Sequence, residues 1–105
     1  MAARREIVEA LNVNHPGSRT PVDAAKYRAV REAMLRAVPA TDEGIAFQEL
    51  PAAVQKQLPG GRIPGGGSIG WYTTTVKLDL EARGLIERIP GSNPQRLRRT
   101  PNREA

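Results

Sequence analysis

The stretch Val76-Lys-Leu-Asp-Leu-Glu-Ala-Arg-Gly84-Leu-Ile-Glu-Arg-Ile-Pro-Gly91-Ser-Asn-Pro-Gln-Arg-Leu-Arg-Arg-Thr100 decides the fold. It reads as a helix that runs straight into a hairpin. Gly84 stands where a helix ends on a residue that tolerates positive φ. Leu85 to Ile89 is an apolar-rich run of strand length. Pro90-Gly91-Ser92-Asn93-Pro94 is a turn cluster. Gln95 to Thr100 is long enough to pair back across it.

Working backwards, Ser68 is a candidate cap for a helix over 69–83. At 100° per residue, Val76 and Leu80 fall within about 20° of Ile69, and the three form a core face. Trp71, Leu78 and Ala82 fall on the opposite face, with Thr74 and Thr75 beside them. A helix that reads a DNA major groove presents polar side chains there, so this apolar second face needs a partner. Three are expected: the N-terminal arm through Ile7, Leu11 and Val13, a second copy of the chain, or direct contact with bases. Large exposed apolar patches are uncommon on monomers.

Upstream, the link Pro59–Ser68 is rich in glycine and proline. It does not match the Walker pattern, because no Gly-Lys-Ser/Thr follows the spacer, and by composition it reads as a flexible connector. A second helix is expected over about 48–58, with Leu50, Val54 and Leu58 at i, i+4 and i+8. Gly44-Ile45-Ala46-Phe47 is a candidate short strand pairing with the hairpin. Thr20-Pro21-Val22-Asp23 looks like a helix start, with Thr20 as cap and Pro21 first in the helix. That helix is expected to run over 21–38, with Val22, Ala25, Ala29, Val30, Ala33, Ala37 and Val38 on its apolar stripe. Residues 5–13 suit a short strand or an extended arm. The expected core is Val30, Met34, Phe47, Leu50, Val54, Ile69, Val76, Leu80, Leu85 and Ile89.

Bulk properties narrow the function. The chain has 105 residues, no cysteine and one histidine. A disulfide framework and a thiolate metal site are therefore excluded. No cofactor is implied. His15 stands beside a proline with no positioned partner, and acidic pairs such as Asp42–Glu43 read as loop solvation, so no enzyme is expected. Neither a signal peptide nor a membrane span is visible, and a cytoplasmic location is the expectation. The net charge is +5. From Arg88 to Arg103 there are five arginines and no acid, a pattern suited to phosphate contact.

The segment LDLEARGLIERIPGSNPQRLRRT resembles the third helix and wing of bacterial winged helix-turn-helix proteins, and the order of elements from Thr20 to Thr100 is similar to that superfamily. LNVNHPG, VDAAKYRAVREAML, GWYTTTVKLDLEARG and PGSNPQRLRR also resemble a small uncharacterised bacterial family of about this length. The resemblance implies an α+β fold. Its layout is an arm over 1–19, a three-helix winged-helix domain over 20–100 with a C-terminal β-hairpin wing, and a disordered tail over 101–105. It implies binding of double-stranded DNA, as in a transcriptional regulator. Arg88, Arg96, Arg98, Arg99, Lys77 and Thr74 are the candidate nucleic-acid contacts. Leu97 is expected inward, Arg96 and Arg98 outward, and Arg99 sheltered or paired with Glu87. The alternative is a protein-interaction or dimerisation module using Trp71 and Leu78. Two departures weigh against sequence-specific DNA reading: the long 59–68 link, where three or four residues are usual, and the missing polar face.

Overall fold

A computed structural model describes residues 6–101. The first five residues of the expected arm and residues 102–105 of the expected tail lie outside the described residues. The chain is α+β, with three helices and two small antiparallel sheets. Strands β1 (Ile7–Ala10) and β2 (Thr20–Asp23) form a hairpin. Helix α1 (Ala24–Ala37) follows at once. The short β3 (Ile45–Ala46) leads through a 3-10 turn at Phe47–Glu49 into α2 (Leu50–Gln57). Helix α3 (Ile69–Ala82) precedes β4 (Ile86–Arg88) and β5 (Arg96–Arg99). The second sheet has the order β3-β5-β4, so the early strand pairs with the late hairpin as expected.

The third helix and its hairpin lie where the sequence places them. The Ser68 hydroxyl accepts from the Trp71 N–H at 3.1 Å and caps α3. Gly84 ends it with φ +79°, and the Leu85 N–H reaches back to the Leu80 carbonyl. The first helix is corrected. Thr20–Asp23 is a strand, because Val22 packs inward opposite Val8. Asp23 is the true cap, its carboxylate accepting from the Lys26 N–H at 3.1 Å. The buried face of α1 is accordingly Ala24, Tyr27, Val30, Ala33 and Met34, while Ala25 is exposed.

The core gathers one side of each helix and the inner faces of both sheets. Val30, Met34, Leu50, Val54, Val76 and Leu80 are buried as expected. Phe47, Ile69 and Leu85 are half-buried against them, and Ile89 is half-buried in the hairpin. Ile86 rather than Leu85 points fully inward, and so does Leu97 on β5.

The 59–68 link is built, not merely spanned. Ile63 is buried in the core and anchors its middle. The Gln55 amide donates to the Gly61 carbonyl at 2.9 Å, and the Lys26 ammonium donates to the Gly66 carbonyl at 2.8 Å. Both bonds satisfy loop carbonyls that would otherwise depend on water.

Candidate functional site

Helix α3 carries two buried acids near its C-terminus, and each is surrounded by donors. Asp79 is 0% exposed. Its Oδ1 accepts from the Leu11 N–H at 2.8 Å, and its Oδ2 accepts from the Tyr27 hydroxyl. Arg83, one turn on, donates from Nε to both oxygens at 2.9 and 3.0 Å. Burial first, then the bond to Asp79, push the Tyr27 phenol above its ordinary value of 10.0. Glu81 lies between Lys77, whose ammonium is 2.7 Å from Oε2, and Arg88, whose Nε donates to Oε1. Arg88 also donates to the Asn14 side-chain oxygen at 3.0 Å.

These contacts close the outer edge of β1. Glu9 lies opposite Pro21, which has no N–H, so that pair cannot exchange two ladder bonds. The Glu6 carbonyl accepts from the Ala24 N–H, which sets the even positions of β1 facing β2. The outward groups are then those of Ile7, Glu9 and Leu11. Asp79 takes the Leu11 N–H, and Arg83 donates to the Glu9 carbonyl at 3.5 Å. The ion pair thus stands in for a neighbouring strand at an edge that would otherwise be open.

The hairpin arginines are likewise engaged within the molecule. Arg96 donates to the carbonyls of Glu43 and Gly44 at 2.7 and 3.4 Å. Arg98 donates to Glu87, directly across the ladder, at 2.6 Å and lies 3.5 Å from Asp42. Arg99 donates to the Val38 carbonyl at the end of α1 at 2.8 Å. The expected partnership of Arg99 with Glu87 therefore belongs to Arg98, the residue whose register position faces that acid. Lys77, expected as a surface contact, is 4% exposed, paired with Glu81 and 4.9 Å from the Phe47 ring centroid. Of the candidate nucleic-acid contacts on α3, Thr74 alone is exposed.

The second face of α3 remains uncovered at its N-terminal end. Trp71 is 47% exposed, with its ring edge-on to Tyr72 at 4.8 Å between centroids. The arm meets α3 instead at Asp79 and Arg83. Trp71, Thr74, Thr75, Leu78 and Ala82 recur at i, i+3, i+4, i+7 and i+11. None is charged, and all are exposed or half-buried. Among the described residues, no cluster of His, Cys, Asp or Glu could hold a metal ion, and no helix is long and apolar enough to cross a membrane. No curated protein and no solved structure matches the chain. The family of unknown function DUF6958 matches residues 7–97, nearly the whole chain, and the chain belongs to that family.

Proposed function

We propose that this chain is a winged-helix module that associates with a second copy of itself through the uncharged stripe of α3. The winged-helix reading is supported by the sequence of elements from α1 onward and by the strand order β3-β5-β4. The stripe Trp71, Thr74, Thr75, Leu78 carries the functional reading. This spacing is what helix-to-helix packing uses. A two-fold axis through it brings identical surfaces together. A chain of net charge +5 repels its own copy, and an uncharged face is where that repulsion is least. Threonines at its middle let two helices approach closely.

Sedimentation across a concentration series tests this, with Trp71 as the reporter because it is the chain's one tryptophan. Association with a blue shift of Trp71 emission is expected on concentration. A Thr74→Arg change should abolish both by placing like charges across the axis. A parent protein that stays monomeric at every concentration refutes the self-association reading.

A second reading, binding of duplex DNA, is favoured by the net charge and by four cations. Arg19, Arg31, Lys56 and Arg62 make no ion pair with another described residue. On this reading the hairpin arginines contribute through shape and the four others through phosphate contact. A titration with mixed-sequence duplex should then show affinity falling with salt, and each cation removed should lower the log–log slope by about 0.9. Absence of binding at low salt ends this reading.

A further inference from the structure

We propose that the cleft beneath the β1–β2 loop is a binding site for a small monocarboxylate with a compact apolar body. It shares only Ala82 with the Trp71 stripe and does not rest on the dimer reading. The cleft has a volume of about 310 Å³ and lies between the loop and the C-terminal end of α3. That volume is at the small end of ligand-holding pockets, which run from about 300 to 1,000 Å³. Its apolar walls are Leu11, Val13 and Pro16 from the loop and Ala82 from α3. Gly17, at φ +96°, leaves open space where a side chain would stand.

Both polar side chains on the walls can donate. Asn12 and Arg19 are the two polar side chains that line the cleft, and no acid does. The Asn12 side-chain oxygen accepts from the Asn14 N–H at 2.8 Å, and its NH2 group adds two donors. Arg19 donates once, from Nη1 to the Ser18 carbonyl at 3.2 Å, and has no carboxylate partner among the described residues. Most of its five N–H donors are therefore uncommitted. Two donor side chains and no acid over an apolar floor match an anion carried on an apolar body. A planar carboxylate suits the guanidinium fork.

The loop is held in place before any ligand arrives. The His15 N–H bonds the Asn12 carbonyl and the Ser18 N–H bonds the His15 carbonyl, both at 3.0 Å. Asp79 fixes Leu11, and Arg88 fixes Asn14. A preformed cleft does not have to be ordered at the moment of binding.

The test is a titration of the full chain with benzoate and with 4-methylpentanoate, followed through backbone amide chemical shifts. Benzamide serves as the uncharged control. Saturable shifts confined to residues 11–19 and to Ala82 with its neighbours are expected for the carboxylates. Benzamide should bind far more weakly. Arg19→Gln should weaken benzoate roughly tenfold, the size of one charge-assisted hydrogen bond. Ala82→Phe should block the cleft from an exposed helix position. If Ala82→Phe disturbs the fold, the comparison of benzoate with benzamide and the Arg19 variant still decide the matter. Equal binding of acid and amide, shifts elsewhere in the molecule, or no saturation at millimolar concentrations overturns the proposal.

Discussion

Replacing Asp79 with alanine is expected to remove about 3–5 kcal/mol of stability, the range for breaking a buried charge pair by deleting one partner. Three donors lose their acceptor together. The Tyr27 hydroxyl is left without a partner in the interior, the half-buried Leu11 N–H loses its acceptor, and the Arg83 guanidinium loses its carboxylate. Arg83 is 39% exposed, so water recovers much of its share. The larger part of the loss comes from the tyrosine and the strand edge. Against a total stability of about 5–15 kcal/mol for a domain of this kind, such a loss threatens folding itself. Urea unfolding measures it. Tyr27→Phe removes one of the stranded donors, so Tyr27→Phe combined with Asp79→Ala should cost less than the sum of the single changes. A loss near zero for Asp79→Ala means that the carboxylate is solvated and the edge of β1 needs no cover.

The same contact makes stability sensitive to alkali. The folded-state pKa of Tyr27 lies above its unfolded value of 10.0. Its protonated form is therefore favoured by folding. That contribution is complete below pH 10 and is lost as pH rises from 10 through the folded value. Tyr27→Phe should remove this part of the alkaline decline while leaving the neutral-pH unfolding curve cooperative.

What the sequence disclosed and what it hid follow from how local each signal is. Helix α3 has fourteen residues, a hydroxyl cap before it and a glycine after it, so its phase and ends are legible without any partner. Strand β5 is legible too, because Leu97 between two arginines has one way to face the core. Thr20-Pro21-Val22-Asp23 misleads because a Thr-Pro start and a capping Asp compete for the same role. Pairing with β1 decides it, and that pairing depends on Ile7–Ala10, an ambiguous run on its own. Ile63 escapes notice because one apolar residue among glycines and prolines has no period. The hairpin arginines look free because no acid lies between Arg88 and Arg103. Their partners are the carbonyls of residues 38, 43 and 44 and the acids at 42, 81 and 87. Most of these are brought close by β3 pairing with β5 or by α1 ending beside it. The Asp79 hub is hidden for the same reason. Asp79 and Arg83 at i, i+4 read as a surface pair, and nothing local announces that Tyr27 and Leu11 close over them.

Gly44→Ala is expected to cost about 2–5 kcal/mol, the sum of a left-handed backbone penalty and a packing clash. Gly44 has φ +61°. A Cβ there would stand 2.1 Å from the Leu97 carbonyl oxygen and 2.7 Å from Ile89 Cδ1. The first neighbour is backbone, and it belongs to the β5 strand that pairs with Ile45 at the next position. Relief requires β3 and β5 to separate, or the 41–44 turn to shift. That turn is tied by the Gly44 N–H to the Thr41 hydroxyl and by Arg96 to the Glu43 and Gly44 carbonyls. Moving it therefore breaks the contacts that join the hairpin to the helices. Gly60 supplies a matched control. Its φ is +65°, and nothing lies within 4 Å of where its Cβ would be. Gly60→Ala should show the backbone penalty alone, about 1–2 kcal/mol. Chemical unfolding of the two variants separates the terms, since the difference between them is the clash. Equal losses for the two would mean that β3 and β5 yield without resistance, and that the sheet joining the hairpin to the rest of the chain is softer than its hydrogen bonds imply.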